Sequence, residues 1–219
     1  MKGLLYKDWE IVKGNYKTVL LVVMMMLFFA FSSDDGATFA VSYLTMMGVF
    51  LVLNTISYDD FDNGMSYLLT LPITRKEYVK EKYVLALICQ AVCFVISALF
   101  SFGMALAKSQ ELVLGDWMGS FVGTAGVFVI MSAIVIPVQL KFGAENGRVI
   151  MIALILGTAG SVYLVYKIAK TSGINLGKIA GMIDSLNPVQ WILLVAVLAG
   201  VILFLSYRIS IAVLEKKEY

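Results

Sequence analysis

The sequence predicts an all-α polytopic membrane protein: six transmembrane helices with both termini on the inner side. Three observations carry that expectation. Of the 219 residues, 60% are hydrophobic and only 15% charged, whereas an ordinary globular domain has about 45–50% apolar and about 25% charged residues. Six apolar stretches alternate with polar connections. Finally, the 17 Lys and Arg residues divide 13 to 4 between alternate connections, and basic residues mark the cytoplasmic side. The whole of residues 1–219 reads as a single membrane domain.

Residues 1–17 place Leu5, Trp9, Val12 and Tyr16 on one helical face, with Lys2, Lys7, Asp8, Glu10, Lys13 and Lys17 around the rest. This is the pattern of an interfacial helix, apolar face in the acyl boundary and lysines toward headgroups. Spans are expected at Thr18–Phe31, Ala37–Ser57, Val84–Ala107, Trp117–Leu140, Val149–Tyr166 and Val189–Tyr207. A span of about 21 residues rises about 31 Å, enough to cross the hydrocarbon core. Residues 167–188 are too apolar for a solvated loop and too broken by glycine for a span. They read as short extracellular re-entrant helices, or as a long loop packed on the outer surface. Gly119, Gly123 and Gly126 allow close helix approach. Asn54, Gln90 and Gln139 are read as interhelical hydrogen-bond partners. Cys89 and Cys93 share one helix face, a poor geometry for a disulfide, and read as packing residues.

The longest polar interruption, residues 58–83, organises the rest. Asp59, Asp60 and Asp62 open it, and acids suit the first turn of a helix. Phe61, Met65 and Leu68 fall at i, i+4 and i+7, one face of a short helix. Leu71-Pro72 then ends that helix. Thr74-Arg75-Lys76-Glu77 has the spacing of a capping box, so a second helix should begin there. The prediction is a helix-break-helix elbow with an apolar ridge and charged flanks. A simple amphipathic helix resting on lipid headgroups would show the same pattern.

The order acid-acid, short helix, Leu71-Pro72-Ile73-Thr74-Arg75-Lys76, then Lys82-Tyr83 entering a span resembles the first cytoplasmic loop of ABC-2 type permeases, the membrane subunits of ABC exporters. That family usually has Glu where this chain has Asp60. The resemblance implies that residues 58–83 form a coupling loop received by an ATPase. Phe61, Met65, Leu68 and Leu69 would then supply buried contact, while Asp59, Asp60, Asp62, Arg75 and Lys76 supply orientation. It also implies an elbow role for residues 1–17, re-entrant helices before the last span, and a homodimer or heterodimer with a second permease in the cell membrane. ATP and Mg would be bound by separate ATPase subunits, with no cofactor, no metal and no catalytic residue in this chain.

The residue types agree with that division of labour. No phosphate-binding loop of the G-x-x-x-x-G-K-[ST] kind is present. The chain has no histidine, the commonest general base and zinc ligand. The predicted spans carry no Asp, Glu, Lys or Arg, which argues against a proton relay or a voltage sensor. No nucleic-acid partner is indicated, and membrane lipid is the one partner that composition alone implies. The apolar faces of the second and fifth spans, with Ser42, Thr45, Thr158 and Ser161 scattered among them, lean toward a hydrophobic or amphipathic cargo such as a peptide or drug. A non-transporting scaffold or sensor, and an ATP-independent channel, remain the alternatives.

Overall fold

The computed structural model describes residues 2–32, 36–61, 64–107, 119–143, 167 and 187–217. They form α1 (Lys2–Gly14), α2 (Tyr16–Ser32), α3 (Gly36–Asp60), α4 (Gly64–Leu68), α5 (Arg75–Ala107), α6 (Gly119–Gly143) and α7 (Pro188–Lys216). Among the described residues there is no strand. Four of the helices (the runs 39–60, 75–106, 119–143 and 189–216) are long and apolar enough to cross a membrane, and the bent pair α1–α2 makes a fifth if it acts as one span. The expected fifth span, Val149–Tyr166, and nearly all of the expected re-entrant segment lie outside the described residues, as does Asp62.

The helices continue past the limits that hydropathy suggests. α3 runs three residues beyond Ser57, and α5 starts nine residues before Val84. Once a helix is established, each added residue contributes one hydrogen bond, so propagation continues until sequence stops it. For α5 the start is the capping box at Thr74. The Thr74 amide donates to Glu77 Oε2 at 3.1 Å, and the Glu77 amide donates to Thr74 Oγ1 at 3.2 Å. Between α4 and α5 the chain turns through Leu71-Pro72, as the proline predicts. The α1–α2 bend is 57°, at Gly14-Asn15 rather than after Lys17. There the Asn15 side-chain amide donates to the Ile11 carbonyl at 2.9 Å, meeting one of the acceptors a helix end leaves open.

α3 and α5 are the central pair. Gly48 is where their backbones approach: a Cβ at that position would lie 3.0 Å from the Gln90 Cα. Gly123 and Gly126 of α6 face Trp191 and Val195 of α7, so the small-residue face there serves packing. Gln90 and Gln139 bond between helices, to the Phe128 carbonyl at 3.4 Å and to Ser57 Oγ at 2.9 Å. Cys89 and Cys93 are free thiols.

The largest core cluster lies at the end of the bundle that carries α4. Leu4, Ile56, Met65, Leu68, Tyr78, Ile136, Leu140 and Leu214 bring α1 and α3 to α7 together there. A smaller cluster of Met26, Ala30, Ala40, Leu44 and Met104 joins α2, α3 and α5 elsewhere. Replacing Gly48 with Leu should push α3 and α5 apart and cost about 1–3 kcal/mol, as overpacking does. Gly103→Ala meets open space and should leave stability unchanged or slightly raised. Thermal unfolding of the two variants in detergent distinguishes these outcomes.

Candidate coupling site

The loop begins where α3 ends. Asp59 and Asp60 occupy the last turn of that helix instead of the first turn of the next, so the expectation that they open the loop helix is corrected. A helix C-terminus is its negative end, where acids are unfavourable, and three lysines offset them. Asp59 is ion-paired with Lys7 of α1 and, at 2.7 Å, with Lys82 of α5. It also accepts from the Tyr78 hydroxyl at 3.0 Å. Asp60 faces Lys217 at 3.9 Å, and its carboxylate lies against Gly143, whose φ of +76° ends α6 in the left-handed region.

Lys82 is the centre of the arrangement. Its side chain is fully buried. Its ammonium is bonded to Asp8 of α1 and to Asp59 of α3, reaches Thr55 Oγ1 at 3.3 Å, and lies 5.1 Å from the centre of the Tyr78 ring. Asp8, expected on the solvent face of an interfacial helix, is itself fully buried, while Trp9 and Tyr16 of the expected apolar face are exposed. α1 therefore presents Leu4 and Asp8 to the bundle and its aromatics outward. Glu81 is also fully buried, 3.7 Å from Lys82, with no hydrogen bond to its oxygens among the described residues. The stretches predicted as spans are without charge, and Asp59, Glu81 and Lys82 lie on the helical extensions of α3 and α5 beyond them.

The apolar ridge divides. Met65 and Leu68 turn inward to the core cluster, so their periodicity marks the chain's own packing face. Leu69 is half-buried. Phe61 is 70% exposed and sits beyond α3, and Tyr67, which the ridge pattern missed, is 73% exposed. Leu71 and Tyr58 are exposed beside them. Exposed aromatics at a loop tip carry no periodic signal, so only the large side chains themselves could have flagged Tyr67.

The expected orienting cations also have partners within the chain. One guanidinium nitrogen of Arg75, Nη1, donates to the carbonyls of Leu214 and Glu215 at 2.6 and 2.9 Å. A cation there satisfies the last acceptors of α7 and suits its dipole. Lys76 is exposed and faces Glu215 at 3.7 Å, and Lys217 donates to the Leu140 carbonyl at 3.4 Å. Higher on α7, the Tyr83 hydroxyl bonds Ser206 and Ser210. The start of the chain, the loop and the end of α7 thus meet at one end of the bundle. Among the described residues no group of three or more acidic, cysteine or histidine side chains is placed to hold a metal ion.

Removing the Lys82 charge would leave two buried carboxylates without their main partner, a loss of about 3–5 kcal/mol for such pairs. Lys82→Met should therefore lower the detergent melting temperature sharply. Exposed Lys80→Met should change stability by no more than about 0.5 kcal/mol.

No curated protein and no solved structure matches the chain. A family model described as "ABC-2 family transporter protein" matches residues 3–215. With nearly its whole length matched, this chain belongs to the ABC-2 family of transporter membrane proteins.

Proposed function

We propose that the chain is the permease subunit of an ABC exporter, driven by separate ATPase subunits that bind ATP and Mg. It would work in the cell membrane as a homodimer or heterodimer. The topology consistent with this has six spans and both termini in the cytoplasm, with an extracellular re-entrant segment at 167–188 and a single domain over residues 1–219. The 13-to-4 division of basic residues supports the orientation.

The observation that carries the coupling role is the contrast at the loop. Its inner face is fixed to α1, α3, α5 and α7 by buried charge and apolar packing, while Phe61, Tyr67 and Leu71 stand exposed at its tip. A partner pressing on those side chains would move a rigid junction and not a slack loop. Aromatic side chains are the usual anchors of interfaces. The docking set is accordingly Phe61, Tyr67 and Leu71, with Leu69 and exposed Lys76 at its margin. Met65, Leu68, Asp59 and Arg75 hold the junction from within. Asp60, half-buried, also lies on the inner side through Lys217.

A hydrophobic or amphipathic cargo remains the substrate class we favour. Thr45 does not help to line a path, since it is buried and bonded to the Val41 carbonyl at 2.7 Å. The first test is a detergent pull-down, in which a stoichiometric nucleotide-binding subunit is expected; its absence would favour a scaffold or channel. Phe61→Ala with Tyr67→Ala should reduce ATPase co-purification about tenfold or more while leaving the chain inserted with an unchanged melting temperature. Met65→Ala is unsuitable for this purpose, because a buried Met→Ala change costs about 2–5 kcal/mol by itself.

A further inference from the structure

A cavity of about 650 Å³ lies between the α1–α2 bend, α3 and α6, within the range of about 300–1,000 Å³ usual for small-molecule sites. Its two ends differ. Toward the junction it is walled by Asn15, Thr18, Asn54, Ser57 and Gln139, and toward the middle of α3 by Tyr43, Met46, Met47 and Phe50. Asn54 and Tyr43 are separated by about 16 Å along the helix at about 1.5 Å per residue.

The polar end has unused hydrogen-bonding capacity. Gln139 is 3% exposed. Its Nε2 is spent on Ser57, and Ser57 Oγ donates in turn to the Leu53 carbonyl at 2.9 Å. Gln139 Oε1 is buried with no donor among the described residues. A buried acceptor without a partner costs about 1–3 kcal/mol. Asn54, expected to bond between helices, makes no side-chain hydrogen bond among the described residues, so its amide is available as both donor and acceptor. Among the described residues no Asp, Glu, Lys or Arg lines the cavity. A charged group drawn into it would lose its hydration and find no counterion. The methionines at the apolar end adapt readily to irregular chains.

We propose that this cavity binds an amphiphile with an uncharged hydrogen-bonding head, a hydroxyl or primary amide, and a single apolar tail. The head donates to Gln139 Oε1 and pairs with the Asn54 amide, while the tail runs past Met46 and Phe50 toward Tyr43. The inference deepens the reading of the chain as a permease for amphipathic cargo and rests on it for its biological meaning. The binding itself can be read without any ATPase.

The test uses the purified chain in phosphatidylcholine nanodiscs and a dodecyl glycerol ether carrying a terminal diazirine. The expected result is saturable photolabelling of the 43–53 stretch of α3. It should be competed by unlabelled dodecyl glycerol ether and not by dodecyl phosphate or dodecyltrimethylammonium. Asn54→Leu with Gln139→Leu should weaken apparent affinity about tenfold, the scale of one or two lost hydrogen bonds. Met46→Trp, which narrows the tail channel and leaves the polar end intact, should abolish labelling at an unchanged melting temperature. Phosphatidylcholine bearing the diazirine in its tail should label the outward faces of α2 and α7 instead. Unsaturable labelling, equal competition by charged heads, cavity labelling by the phospholipid probe, or unchanged affinity in both variants would each overturn the proposal. Because the readout uses this chain alone, an empty cavity and a failed ATPase pull-down are separate outcomes.

Discussion

The fold depends on how one buried ammonium is neutralised. Lys82 lies among acidic side chains from three helices, Asp8 of α1, Asp59 of α3 and Glu81 of its own helix. Taking an ion out of water carries an effective penalty of several kcal/mol, recovered only when partners and geometry are good. Lys82 meets that condition with two carboxylates and the Thr55 hydroxyl. The gain from such a cluster is chiefly in register. Apolar packing of Leu4 against α3 and α5 would tolerate α1 rotated by part of a turn, whereas a rotation that withdrew Asp8 would strand two charges. The helix that precedes the first bend is thereby tied to the two central helices.

The same end of the bundle collects every other polar tie in the loop region. The capping box starts α5, and its next residue, Arg75, reaches α7. Asp60 and Lys217 close α3 against α6 and α7. These contacts use the dipoles of helix ends in a consistent way, since cations meet the C-termini of α3 and α7 and the acid Glu77 sits in the first turn of α5. These contacts tie α1, α3, α5 and α7 into one junction. Farther along, Trp191 and Val195 of α7 lie against Gly123 and Gly126 of α6, and most of the large apolar side chains from Val189 to Leu205 face outward.

Much of this was legible in the sequence, for identifiable reasons. Hydropathy located the long helices among the described residues because a bilayer leaves the backbone few alternatives. The break at Pro72 and the cap at Thr74 were legible because both are local, spanning four residues or fewer. The burial of Asp8 was not legible, since its partner is 74 positions away and an acid on an amphipathic helix reads as solvated. Of the Phe61–Met65–Leu68 pattern only Met65 and Leu68 form a packing face, with Phe61 exposed outside it; periodicity states that a face is buried and not what buries it. Hydropathy puts Asp59 and Asp60 at the wrong helix end, because α3 persists beyond its apolar run. Arg75 looked like a docking charge for the same reason that Asp8 looked solvated: the partner lies on an element distant in sequence.

On the proposed coupling role, these placements change where recognition by a partner would reside. Charges that are paired internally are poor candidates for steering an incoming subunit, because breaking them on association would forfeit what they contribute to the fold. Asp59, Arg75 and Lys82 are in that position. Among the described residues, the large side chains that the loop exposes are Phe61, Tyr67 and Leu71, beside exposed Lys76 and Thr70. Interfaces built on such anchors depend on shape and desolvation more than on long-range charge, so association here should respond weakly to ionic strength. The division is a physical one: buried charge fixes the geometry of the junction, and exposed aromatic surface is what the proposed driving subunit would grip.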